Sequence, residues 1–225
     1  MMKLNGQQFA RMLDGTLTAT NTTKAQYQAH LETAIKYHFY SVIGLRCYIP
    51  MTVEALKETD VLPGSGCCLA SGADATEVKV YAGKSNVALG AKELDMVMNL
   101  SYFKSGLYDL VVDDIRRVKE AVGNIPLKCI IEAPLLTDEE IRTACALVVE
   151  GGADYLKTAT GQAGPTTLHH IEVISGVLKG RIKIKAAGGI RKIETVEQMT
   201  DLGVSRFGVG SASAIKLIQA FNDRS

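Results

Sequence analysis

Short apolar runs rich in β-branched residues recur along the chain, and a stretch of helical periodicity follows each one. They are FYSVIGL (39–45), SGCCLAS (65–71), LDMVMN (94–99), PLKCIIE (126–132), DYLKT (154–158), IKIKAA (182–187) and SRFGVG (205–210). A weaker run, FARMLDG (9–15), precedes them. The helical patterns between them include TTKAQYQAHLETAIKYH, DLVVDDIRRVKEAV and TDEEIRTACALVVEGG. The last of these starts at Thr137 with Glu140 three residues on, a capping-box spacing, and stops at Gly151-Gly152. Eight strand–helix units with no Pro/Gly/Ser-rich linker predict one α/β domain over residues 1–225, a TIM (β/α)8 barrel. An open doubly wound sheet is the competing architecture, and the count of eight disfavours it.

The strand faces carry the chemistry. Leu127, Cys129 and Ile131 alternate with Lys128, Ile130 and Glu132; Ile182, Ile184 and Ala186 alternate with Arg181, Lys183 and Lys185; Leu94, Met96 and Met98 alternate with Asp95, Val97 and Asn99. A barrel packs its outer strand face on helices, so the apolar sets point outward. Asp95, Lys128, Glu132, Lys183 and Lys185 then point inward, joined by Lys157 and Tyr155. Buried charges are costly unless paired. A structural ion-pair network is the plain alternative. Against it, the inward lysines outnumber the carboxylates, and Lys157 and Lys185 precede the small-residue loops TATGQAG and AAGGIR.

Composition narrows the partners. With 47% hydrophobic and 22% charged residues the chain builds a sizeable core, and 25 Lys+Arg against 24 Asp+Glu leave a formal charge of +1. That balance offers no broad footprint for nucleic acid or an anionic membrane, so a bound anion needs a local site. No apolar run reaches the length of a spanning helix, and MMKLNGQQFARML does not read as a signal peptide. Cysteines 47, 67, 68, 129 and 145 form no even framework, and the adjacent Cys67-Cys68 has neither metal nor redox spacing. Buried thiols in a reducing cytoplasm are the expectation. His30, His38, His169 and His170 fall in helix-like stretches without a metal motif, so no metal site is expected.

A protonated lysine is a poor nucleophile, but a second ammonium nearby and partial desolvation free its amine. The amine can then attack a carbonyl and form an iminium, an electron sink for making or breaking a carbon–carbon bond. Lys157 and Lys185 suit such a pair, with Asp95 moving protons through a water between it and the second lysine. Spacing alone does not choose among the four lysines. After strands seven and eight, Gly188-Gly189-Ile190-Arg191 and Gly208-Val209-Gly210-Ser211 each run into a helix, where backbone N–H groups can approach a phosphate. Gly161 adds to that candidate site.

From about residue 12 onward the chain resembles the deoxyribose-phosphate aldolases, Schiff-base aldolases built on a TIM barrel. Lys157-Thr158-Ala159-Thr160-Gly161 is similar to the family's KTSTG segment, and Lys185-Ala186-Ala187-Gly188-Gly189-Ile190-Arg191 to its segment with the second lysine and phosphate contacts. Asp95 matches the family aspartate, Leu127-Lys128-Cys129-Ile130-Ile131-Glu132 its LK-V-I-I-E strand, Leu13-Asp14-Gly15-Thr16-Leu17 its opening D-x-T, and Thr76-Glu77-Val78-Lys79 is in register. The resemblance implies reversible cleavage of 2-deoxyribose 5-phosphate to acetaldehyde and glyceraldehyde 3-phosphate, with no metal or organic cofactor. Lys157, Lys185 and Asp95 would be catalytic. Asp14, Thr16, Lys128, Thr158, Gly161, Gly188, Gly189, Arg191, Gly208, Gly210 and Ser211 would bind the sugar phosphate.

The chain departs from the family around the pocket. Leu45-Arg46-Cys47 replaces an N-P pair, Cys68-Leu69-Ala70-Ser71-Gly72 a GFPxG loop, and Glu132-Ala133-Pro134-Leu135 an E-T-x-L. Ala159, Gln162 and Gly210 stand at a serine, an often basic or aromatic residue, and the first of two serines; the C-terminal tyrosine of some longer members has no counterpart in Asn222-Asp223-Arg224-Ser225. These changes keep open a related aldolase for another short sugar phosphate or hydroxy-aldehyde. A non-catalytic sugar-phosphate binder is the alternative from a different class. Homo-oligomers are common among barrels, but no exposed patch is legible from sequence.

Overall fold

The computed structural model describes residues 4–69 and 71–224. The first three residues of the N-terminal segment and Ala70 of the Cys68–Gly72 loop lie outside the described residues. Eight parallel strands close into a barrel in sequence order: β1 Leu13–Leu17, β2 Ser41–Gly44, β3 Leu62–Cys67, β4 Glu93–Val97, β5 Leu127–Ile130, β6 Tyr155–Lys157, β7 Lys183–Ala187 and β8 Val204–Val209. Strand β1 pairs with both β2 and β8, which seals the sheet. Around it run the helices α1 Gly6–Ala10, α2 Lys24–Lys36, α3 Ile49–Leu56, α4 Thr76–Ala88, α5 Leu100–Lys104, α6 Tyr108–Val122, α7 Asp138–Glu150, α8 Leu168–Leu178, α9 Ile193–Asp201 and α10 Ser211–Asp223. The architecture is a TIM barrel. Among the described residues, no helix is long and apolar enough to cross a membrane.

Local signals set the helix ends. Thr137 accepts from the Glu140 N–H while Glu140 accepts from the Thr137 N–H, closing the expected capping box of α7. Thr23 with Gln26, and Thr167 with His170, do the same for α2 and α8. The outward strand residues Leu94, Met96, Leu127, Cys129, Leu156 and Phe207 are fully buried against this helical layer.

Three expectations are corrected. The first strand begins at Leu13, because Asn5 and Gln8 form a capping box that starts α1, whose Phe9 packs against Phe207 and Phe221 at the barrel's N-terminal end. The third strand covers Leu62–Cys67 rather than 65–71, with Pro63, Gly64 and Gly66 inside it. A Cβ on Gly64 would crowd Ile43 and come within 3.1 Å of Glu93, so this small residue leaves space for inward neighbours. His38 lies beyond the end of α2 at φ 55°, not within the helix.

Replacing Thr137 by Ala removes the cap of α7 and is expected to cost about 1 kcal/mol in urea unfolding. Turnover should be unchanged, since the cap lies on the outer layer.

Candidate active site

The interior charges form one connected network. Asp95 on β4 is fully buried; its Oδ2 accepts from Lys157 Nζ at 2.7 Å and from Lys185 Nζ at 2.8 Å. Lys185 also lies 2.7 Å from Asp14 Oδ2. Lys128 reaches Asp14 at 2.7 Å, Glu93 at 2.5 Å and Asp95 at 3.7 Å. Arg206 completes the set 3.3 Å from Asp14 and stacks on the Tyr40 ring. Strand register puts these groups on one face: Asp95 pairs laterally with Lys128, Lys128 with Tyr155, Lys157 with Lys185, and Lys185 with Arg206.

The charges separate the lysines. Burial pushes the Asp95 carboxyl up, but Lys157, Lys185 and Lys128 outweigh it and hold the group well below the usual carboxylate range. Asp14 behaves likewise against Lys128, Lys185 and Arg206. Lys128 is held above the ordinary lysine value, because Asp14, Glu93 and Asp95 together overcome its desolvation. Lys157 moves the other way. Burial, with the neighbouring Lys185 ammonium adding to it, lowers its pKa against the opposing pull of Asp95.

Lys157 ends β6 and lines a cavity of about 320 Å³ with Thr16, Thr18, Ile43, Leu45, Arg46, Gly66, Cys68, Leu69, Thr160 and Gln162, among others. A second cleft of about 390 Å³ adjoins it, formed by Gly161, Gly188, Gly189, Arg191, Gly208, Gly210 and Ser213. Thr16, Thr18, Thr160 and Gln162 line both. Gly161 and Gly188 have φ of 90° and 98°, and a Cβ on either would lie 3.3 Å from the other's Cα. Only glycine permits this approach of the two loops. Glu132, at φ 50° just past β5, accepts from the Thr160 N–H at 3.0 Å and steadies the loop after Lys157.

Several expected residues fall elsewhere. Asp14 and Lys128, like Asp95 and Lys185, are fully buried in the ion network and line neither cavity. Thr158 is buried, with its hydroxyl bonded to Ala187 O at 3.1 Å and 2.7 Å from Thr166 Oγ1, tying the loop after β6 to the end of β7. Ser211 turns its hydroxyl to His30, and Ser213 borders the glycine cleft instead. Lys183 is exposed at the N-terminal mouth of the barrel, 5.4 Å from the Tyr155 ring centroid, and has left the interior set. Asp95 and Lys185 touch directly where a water was expected between them.

Glu93 and Arg206 were missed, although alternation with Asp95 and Gly208 marks both as inward. Cys67 donates to Lys79 O at 3.2 Å on the helix side, while Cys68, at φ 51°, lines the Lys157 cavity. Among the described residues no cluster of three His, Cys, Asp or Glu side chains suits a metal ion.

The DeoC/LacD family aldolase profile matches residues 49–214. The chain belongs to this aldolase family. The deoxyribose-phosphate aldolase of Klebsiella pneumoniae subsp. pneumoniae is 38% identical over 215 residues, 93% of this chain and 86% of that protein. The solved aldolase QR15 is 32% identical with a TM-score of 0.90, covering 96% of each chain. The deoxyribose phosphate aldolase of Aeropyrum pernix, described as a unique tetramer, shares the fold at a TM-score of 0.86 and 24% identity, over 99% of this chain and 95% of that one.

In this aldolase, replacing Lys185 by Leu removes a cation that lowers the Lys157 pKa and leaves Asp95 to Lys157. The Lys157 pKa then rises, so the acid limb of the kcat/KM profile should move to higher pH, with a loss on the order of 10²-fold or more at neutral pH. An unmoved limb would refute the coupling.

Proposed function

We propose that the chain cleaves 2-deoxyribose 5-phosphate reversibly to acetaldehyde and glyceraldehyde 3-phosphate, with Lys157 as the Schiff-base nucleophile. One observation carries the reading: a buried lysine of lowered pKa opens onto a cavity that joins a glycine-lined cleft. The neutral Lys157 amine attacks the aldehyde carbon of the open-chain sugar, and loss of water from the carbinolamine gives a protonated imine. Removal of the C3 hydroxyl proton breaks the C2–C3 bond; its electrons flow to the imine nitrogen and form an enamine. Glyceraldehyde 3-phosphate departs, C2 is protonated, and hydrolysis returns the amine with acetaldehyde.

Asp95 and Lys185 handle these protons. Asp95 stays ionised at neutral pH and accepts hydrogen bonds from both lysines, so it can receive a proton from one side while Lys185 supplies one from the other. The phosphate is assigned to the glycine cleft, where Gly188, Gly189 and Gly210 let backbone approach and Arg191 brings positive charge. Leu45 and Arg46 on the wall of the Lys157 cavity favour a second reading, an aldolase for another short sugar phosphate or hydroxy-aldehyde. A homo-oligomer in the cytoplasm fits the same picture, with five free cysteines in keeping with a reducing setting. Light scattering would test the assembly.

The decisive experiment measures acetaldehyde release from 2-deoxyribose 5-phosphate beside unphosphorylated 2-deoxyribose. Rapid release that strongly favours the ester is expected. Borohydride should trap the acetaldehyde adduct on Lys157, and Lys157→Leu should abolish both trapping and turnover while melting as the parent does. Release from neither sugar, with trapping intact, would move the substrate to a relative; failed trapping would favour a non-catalytic binder. Arg191→Ala should raise KM for the phosphate ester several-fold and leave free 2-deoxyribose unaffected; equal losses on both would remove the phosphate assignment.

A further inference from the structure

One pair, a buried histidine and a half-buried serine, has no part in the lysine chemistry. His30, within α2, is 3% exposed, and its Nδ1 lies 2.5 Å from Oγ of Ser211, the first residue of α10. The ring also approaches the Gly15 backbone, and Ser211 is its side-chain hydrogen-bond partner. Burial lowers the imidazole pKa and keeps the ring neutral, so the contact adds no charge beside an anion.

The ring also touches β1. A Cβ added at Gly15 would fall 2.7 Å from the Phe39 ring and 3.3 Å from His30 Cε1, so a glycine makes room for the imidazole there. The next residue, Thr16, lines the glycine cleft. His30 and Ser211 meet in a cavity of about 510 Å³ that shares Thr16, Gly210 and Ser213 with that cleft. The imidazole thus bridges α2, β1 and the start of α10 directly behind the wall of the cleft.

We propose that His30 is a positioning residue for anion binding: through Ser211 it fixes the first turn of α10, and with it Gly210 and Ser213, at the edge facing a phosphate monoester. The inference rests on the assignment of the phosphate to the glycine cleft. A fixed helix start presents its N–H groups without an ordering cost on binding, which raises affinity for the anion and leaves the reacting carbonyl alone.

The test uses the whole enzyme with three variants. His30→Leu should raise KM for 2-deoxyribose 5-phosphate and the inhibition constant of inorganic phosphate five- to tenfold, with kcat and the rate on free 2-deoxyribose unchanged. His30→Gln retains a side-chain donor and acceptor and should recover most of that loss. Ser211→Ala should reproduce it, and the double variant should lose no more than either single one, since both remove one contact. Parental phosphate affinity in His30→Leu, equal losses on both sugars, or additive single effects would each overturn the inference. Absence of phosphate preference in the parent enzyme would overturn the cleft assignment itself, and this distinguishes the two failures.

Discussion

Everything in the barrel's interior depends on Asp95 serving two lysines at once. Lys157 and Lys185 both lie within 2.8 Å of its Oδ2. Buried charges must find partners, yet four cations, Lys128, Lys157, Lys185 and Arg206, share only three carboxylates in this network, Asp14, Glu93 and Asp95. The set is one carboxylate short, and Lys157 and Arg206 each have a single carboxylate partner. Lys128 has all three carboxylates within 4 Å and Lys185 has two, whereas Lys157 has Asp95 alone, already taken by Lys185. The lysine with the weakest hold on its proton is also the one that opens to the cavity.

That partition explains which part of the site was legible. Alternation in β4, β5 and β7 showed which side chains point inward, and the resemblance picked out Lys157, Lys185 and Asp95. The choice of nucleophile is not in the spacing, because all four candidate lysines share the same parity. It depends on height in the barrel and on how many carboxylates each meets. Lys183 illustrates the point: its parity matches that of Lys185, but one turn of the pleat lower it leaves the barrel and reaches solvent beside Tyr155.

Elsewhere, local chemistry hid the structure. Leu62-Pro63-Gly64-Ser65-Gly66 reads as a turn, yet it is strand β3, where inward space for Ile43 and Glu93 outweighs β propensity. Asp14 looked like a ligand contact because it opens a motif, whereas three cations enclose it. Of the serines after β8, Ser211 matched by sequence, but the first turn of α10 directs it to α2 and leaves Ser213 at the cleft. Which serine faces the cleft depends on helix phase, and the strand pattern says nothing about phase.

The distribution of charge around the wall links the two halves of the site. Lys128, Lys157, Lys185 and Arg206 stand on the consecutive strands β5, β6, β7 and β8, while Asp14 on β1 and Glu93 and Asp95 on β4 flank them on either side. The glycine cleft is built from the loops after β6, β7 and β8, above that cationic arc. An anion held there sits on the positive side of an uneven interior, near the helix start of α10 and Arg191. The surplus cation loosens the Lys157 proton, and once that proton has left, the three remaining cations balance the three carboxylates while still standing on the cleft side of the barrel. The nucleophile follows from the carboxylate that the set lacks, and the side on which an anion is favoured follows from where the cations stand, so the two depend on different features of one charge arrangement.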